Sequence, residues 1–97
     1  MTHVLLEYTL ASDYLERRAE FRAEHLALLE AGVGRGEMVL AGALPDPFDK
    51  ALFVWTEGSE DAAKAFVDAD PYIANGLVTG WTVRTWNTAI GTAMPPA

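Results

Sequence analysis

Arg18, Arg22 and His25 are spaced so that a helix turning about 100° per residue brings all three onto one narrow seam. An imidazole titrates near neutrality and can take or give a proton there. A guanidinium presents paired N–H donors that suit a carboxylate, phenolate or enolate. On the same wheel Leu15, Ala19, Leu26, Leu29 and Val33 form one apolar stripe, and Tyr14, Phe21 and Leu28 form a second. The polar seam runs between them, where a helix that only packed on a sheet would carry Leu or Val. Burying such groups unpaired costs roughly 1–3 kcal/mol each, and more for a charge, so something must converge on the seam. One answer is structural, with the arginines paired to carboxylates at the buried edge and His25 bonded to a carbonyl. The other is a polar pocket between helix and sheet, suited to a small anionic or hydroxylated ligand.

Asp68-Ala69-Asp70-Pro71-Tyr72 is the second candidate. An Asp before Pro is a strong helix N-cap, its carboxylate accepting from the amides of the next turn. A cap uses only part of that acceptor capacity. Asp70 can therefore also orient His25, fix its tautomer and stabilise its imidazolium. Tyr72 lies two positions on and is expected to reach the same pocket. In this reading His25 and Asp70 are an acid/base pair, and Arg22 and Arg18 hold the anionic group of a substrate. Proton abstraction beside a carbonyl is the natural reaction, leading to isomerisation, elimination or lactone chemistry.

Other chemistries lack their parts. The chain has no cysteine and no serine in a G-x-S-x-G turn; Ser12 and Ser59 read as helix caps. Its two histidines, His3 and His25, have no metal-ligand spacing, so neither a metal nor another cofactor is expected. Gly32, Gly34 and Gly36 follow a helix rather than a strand, and read as its flexible stop, not as a phosphate loop. Trp55, Trp81, Trp86 and Phe53 read as core or interface.

The elements that must position these groups follow from periodicity. Val4–Leu10 alternates as a strand, with Val4, Leu6, Tyr8 and Leu10 on one face. Ser12-Asp13, with Glu16 at capping-box spacing, opens a helix that runs to about Val33. Met38–Ala41 is a short strand, and Gly42 to Pro47 a loop, because two prolines so close cannot stay in a ladder. Ala51–Thr56 is a strand, and Glu60-Asp61 begins a second helix that Asp70-Pro71 ends. A short turn closed by Gly76 leads to a last strand, Trp81 to about Trp86. The order β-α-β-β-α-β is the α+β, ferredoxin-like pattern, a four-stranded antiparallel sheet with two helices on one face. Leu52, Phe53, Val54 and Trp55 make both faces of the sheet apolar. A bare apolar face marks an interface, and homodimerisation through the sheet is the economical way to cover it.

At 97 residues the chain is expected to be one domain, with its core at about 4–88 and a loose tail at 91–97. Hydrophobic residues make up 51%, enough for a core. Seven Lys+Arg against 14 Asp+Glu give a net charge of −7, which disfavours nucleic acid and anionic membrane surfaces as partners. The absence of cysteine, of a bilayer-length apolar run and of a basic N-terminal leader fits a soluble cytoplasmic protein.

These motifs resemble a known family. Arg22-Ala23-Glu24-His25 fits an R-x-x-H pattern, Leu40-Ala41-Gly42 a strand-end "aG", and Asp70-Pro71-Tyr72 with Gly76 a D-P-Y-x-x-x-G signature. In this order and spacing they resemble the YciI-like (YCII-related) family of dimeric α+β-barrel proteins, over about residues 4 to 88. The resemblance implies a ferredoxin-like fold dimerising through its sheets. It also implies a histidine–aspartate pair, here His25 and Asp70, with Gly42 beside the ligand. Acid/base chemistry on small cyclic or aromatic metabolites, including loss of HCl, is implied too. The chain departs from the pattern at Gly42-Ala43, where the family often has Gly-Pro. Competing readings are a non-catalytic dimer that binds a small metabolite on the same seam, and a cofactor-free monooxygenase of the dimeric α+β-barrel type.

Overall fold

The computed structural model describes residues 1–94. Its elements are β1 (Thr2–Leu10), α1 (Tyr14–Arg17), a 3-10 turn (Arg18–Glu20), α2 (Arg22–Gly34), β2 (Met38–Leu44), β3 (Lys50–Trp55), α3 (Glu60–Ala69), α4 (Pro71–Ala74) and β4 (Val78–Asn87). The sheet order is β2-β3-β1-β4, every pairing antiparallel. This is the expected ferredoxin-like α+β fold.

Alternation along the strands decides what lies beneath the helices. Val4, Leu6 and Tyr8 of β1 and Phe53 and Trp55 of β3 are buried, and β3 alternates residue by residue. Ala63, Phe66 and Val67 of α3 and Leu77 close over them. Each large apolar side chain so covered contributes about 1.5–3 kcal/mol relative to water. On the other side of the sheet Leu5, Leu52 and Val54 are half-covered, while Leu40 is 69% and Trp86 48% exposed. That second apolar face is the one the sequence led us to expect.

Several boundaries differ from expectation. The first helix is not continuous: a 3-10 turn and Phe21, at φ −112° and ψ −1°, separate α1 from α2 with no Pro or Gly to mark the place. Of the apolar stripe expected of Leu15, Ala19, Leu26, Leu29 and Val33, only Leu29 packs against the core; the rest is an outer rim, with Leu15 46% and Val33 58% exposed. Tyr14, Phe21 and Leu28 pack on the core instead, beside the buried His25 and Gly32. Gly32 stops nothing. A Cβ there would stand 3.4 Å from Met38 Cβ and 3.7 Å from Trp55 Cζ3, in ordinary contact, so α2 lies close enough to the sheet to leave room for a methyl group but not for a larger side chain. The helix ends at Gly34, and Gly36 takes φ +74°.

Neither Asp13 nor Ser59 caps a helix with its side chain; Ser59 Oγ instead lies 2.8 Å from Thr56 Oγ1. β2 runs through Gly42 to Leu44, because the prolines that end it come only at Pro45 and Pro47. β4 is longer than expected at both ends. In the tail, Met94 N–H bonds Gly91 O at 3.1 Å, and the expected loose segment from residue 95 onward lies outside the described residues.

Candidate active site

Asp70 is fully buried and forms the hub of the site. It stands in extended conformation (φ −71°, ψ 120°), as a residue before proline must, and N-caps α4. Oδ1 accepts from Tyr72 N–H at 3.1 Å and from His25 Nδ1 at 2.8 Å. Oδ2 accepts from Tyr8 Oη at 2.7 Å. The cap and the histidine contact thus coexist on one carboxylate oxygen, and a hydroxyl from the central strand engages the other.

His25 sits one turn into α2, 45 residues from Asp70 in sequence. Its ring lies flat on Tyr72, with centroids 3.9 Å apart and planes within 9°, and meets the edges of Phe53 and Phe66. Stacking fixes the ring plane, and Asp70 fixes the rotation within it. Because a carboxylate only accepts, Nδ1 is the donor, and in the neutral ring Nε2 is then the nitrogen with the lone pair. Among the described residues Nε2 has no protein partner, and it is not sealed from solvent.

The imidazole opens on a cleft of about 230 Å³ between α2 and the sheet. Arg18 and Arg22 line it with His25, and so does the backbone of β2 at Ala41, Gly42 and Ala43. Phe48 and Phe53 supply apolar wall. The seam read from the wheel is thus present despite the break at Phe21. The arginines have no carboxylate partner among the described residues, and His25 bonds Asp70 rather than a carbonyl. The carboxylate and carbonyl partners of the structural explanation are therefore not found among the described residues, and Arg22 is exposed to solvent while Arg18 is half-buried. A Cβ at Gly42 would meet nothing within 4 Å, so crowding within one chain does not require this glycine.

Tyr72, expected to reach the ligand, is instead the bed beneath the imidazole and is not on the cleft wall. Its hydroxyl is buried without a hydrogen-bond partner. Burial, then neighbouring Tyr14, push its phenol above the ordinary range, against the opposing pull of Arg22 and Arg18. Strand alternation alone places Tyr8 in the core and gives it no part in the site. Burial, then the charge of Asp70 and the bond donated to it, drive its phenol far up. The available signal was a tyrosine on an otherwise aliphatic buried face, since a buried phenol needs an acceptor. Among the described residues no group of three or more His, Asp or Glu side chains is placed to hold a metal.

A four-stranded antiparallel sheet in the order β2-β3-β1-β4 with its helices on one face defines a ferredoxin-like α+β protein, here with a buried histidine–aspartate pair at a cleft edge. Residues 1–87 match the YCII-related domain, and the chain belongs to that family. It is 36% identical to Protein YciI of Escherichia coli O6:H1 over 75% of this chain and 84% of that one, and equally to Protein YciI of Shigella flexneri. Among solved structures, it is similar to 5-chloro-2-hydroxyhydroquinone dehydrochlorinase (TftG) from Burkholderia phenoliruptrix in complex with 2,5-dihydroxybenzoquinone. That match has a TM-score of 0.73 at 21% identity, covering 90% of this chain and 95% of the other. A candidate antibiotic biosynthesis monooxygenase from Nitrosomonas europaea aligns with a TM-score of 0.61 at 10% identity, over 93% and 100% of the two chains. At these identities the likeness is one of fold.

Proposed function

We propose that the protein is a cofactor-independent acid/base enzyme acting on a small cyclic or aromatic metabolite, with His25 as the proton-transfer group and Asp70 as its orienter. The observation that carries this reading is the 2.8 Å contact from His25 Nδ1 to Asp70, which leaves an unpartnered Nε2 at a cleft. Nε2 takes a proton from a carbon or hydroxyl beside a carbonyl. The released electron pair moves onto the carbonyl oxygen or expels a leaving group, and the imidazolium returns the proton. Asp70 steadies the imidazolium, and Arg22 and Arg18 hold the anionic group of the substrate. Support of a coarser kind comes from the fold shared with TftG, a dehydrochlorinase.

Solvent-deuterium exchange tests the reading without a known substrate. A panel of small hydroxylated ring acids and lactones is incubated in D2O and followed by NMR. The wild type exchanges acidic C–H positions of at least one compound, and His25→Ala lowers that rate by roughly 10²–10⁴-fold with the fold intact. Binding without exchange or turnover in the wild type would leave the protein as a metabolite-binding module. Oxygen uptake with an activated phenol that is indifferent to His25 would favour the monooxygenase reading.

We place the working unit as a homodimer in the cytoplasm, joined through the bare sheet face. Leu40, Leu44 and Trp86, each exposed, share that face with Leu5, Leu52 and Val54. So large an apolar surface is unusual on a monomer of this size. Sedimentation of Leu52→Glu against wild type tests it, with a monomeric wild type as the refuting result. No helix among the described residues is long and apolar enough to cross a membrane.

A further inference from the structure

Arg18 and Arg22 are anomalous for a chain in which acidic groups outnumber basic ones 14 to 7. Three of the other five cations have protein partners: Arg17 reaches Asp13 at 3.6 Å and Asn75 O at 2.7 Å, Arg35 reaches Glu37, and Lys50 bonds Thr9, while Lys64 and Arg84 stand exposed on the surface away from the cleft. Arg18 and Arg22 lie one helical turn apart, and neither pairs with a carboxylate among the described residues, although Glu20 and Glu24 are close in sequence. Both line the cleft, whose wall includes no Asp or Glu side chain. Two cations on the wall of one cleft with no acidic side chain in its lining leave a local positive field.

Arg18 is also braced. Its guanidinium carbon stands 5.6 Å from the ring centroids of both Tyr14 and Phe48, so cation–π attraction holds it at the cleft mouth. A braced arginine loses little freedom when it binds, which favours recognition over a solvated surface role. Beneath the seam, the buried Tyr72 hydroxyl lies near enough to Arg22 to feel its hydrogen bonding and its charge. At about 230 Å³ the cleft is below the roughly 300–1,000 Å³ usual for drug-sized ligands.

We propose that the natural ligand is a single-ring carboxylic acid, its carboxylate bridging Arg18 and Arg22 while its ring rests against Phe53 beside His25. The inference deepens the acid/base reading of the same cleft and rests on it for which end of the ligand reacts. Arg18 and Arg22 are then specificity-determining residues that separate acids from neutral hydroxylated rings. An uncharged isostere would leave the two guanidiniums uncompensated and desolvated.

Benzoate and its neutral isostere benzamide serve as probes, with binding read by NMR shift perturbation and calorimetry. Benzoate binds the wild type at the cleft at least tenfold more tightly than benzamide, and raised salt weakens it. Arg18→Gln and Arg22→Gln each lower benzoate affinity at least tenfold without changing benzamide affinity. His25→Asn, which loses proton exchange, keeps benzoate affinity within about threefold. Equal binding of the two probes, benzoate affinity unaffected by the arginine variants, or no benzoate binding at all overturns the proposal. If benzoate follows the arginines but no ring acid exchanges a proton, the subsite stands and the acid/base reading alone falls.

Discussion

Tyr8→Phe changes sign with its background if Asp70 is the hub the geometry describes. In the wild type the substitution removes a 2.7 Å bond from a buried phenol to a carboxylate. A hydrogen bond to a charged partner contributes about 1.5–3 kcal/mol, so the single variant is less stable by that amount. In an Asp70→Ala background Tyr8 Oη becomes a buried donor without an acceptor, at a cost of about 1–3 kcal/mol. Removing the hydroxyl there relieves that cost, so Tyr8→Phe stabilises the Asp70→Ala protein. The coupling between the two sites is therefore at least about 2.5 kcal/mol. A domain of this size moves its Tm about 4–8 °C per kcal/mol, so Tyr8→Phe lowers Tm by about 6 °C or more in wild type and raises it by about 4 °C or more in Asp70→Ala. Urea unfolding of the four proteins, with thermal melts in parallel, measures the cycle. Equal losses from Tyr8→Phe in both backgrounds would show that the hydroxyl and the carboxylate do not share a bond.

Three further outcomes follow from the same structure. Tyr8 and Tyr72 both have phenols pushed above the ordinary value near 10, mainly by burial, so their protonated forms favour the folded state below about pH 10 and that stabilisation drains away as pH rises beyond it. Tyrosinate absorbance should then show both ionising only as the protein unfolds in alkali; their titration near pH 10 in a still-folded protein would contradict the burial argument. Nitrogen-15 NMR of the neutral imidazole should find the proton of His25 on Nδ1, and Asp70→Asn should dissolve that preference; an unchanged tautomer would mean Asp70 does not set it. Gly32→Ala should add about 0.5–1 kcal/mol through helix propensity, because its Cβ makes ordinary contacts with Met38 and Trp55, whereas Gly32→Leu should cost about 1–3 kcal/mol in urea unfolding. A leucine tolerated at that position would show that α2 does not lie as close as described.

The legible parts of this molecule were those governed by a local period or a fixed dihedral. Alternation in Val4–Leu10 and Leu52–Trp55 assigned the sheet faces without further help, and Pro71 fixed Asp70 as an N-cap. The seam of Arg18, Arg22 and His25 was legible because helical geometry keeps residues four and three apart on one side even across a 3-10 turn. What could not be read was set by distant partners. Nothing near Phe21 in sequence announces the break, and which of the two apolar flanks faces the sheet was a tertiary choice. Asp13 and Ser59 have the residue types of caps without the bonds, because the backbone at both turns positions them otherwise. Tyr8 was invisible as a site residue because its acceptor lies 62 residues away.

Asp70 holds a helix start and an imidazole through the same oxygen, and this limits what its presence can testify to. A descendant that abandoned all chemistry would still be obliged to keep that acid, since discarding it unseats the corner between α3 and α4. No such obligation binds His25, whose replacement by a flat hydrophobic ring could preserve the stack on Tyr72. Inheritance of the Asp-Pro-Tyr corner is therefore evidence of architecture, and the histidine is the residue on which the proposed chemistry alone depends.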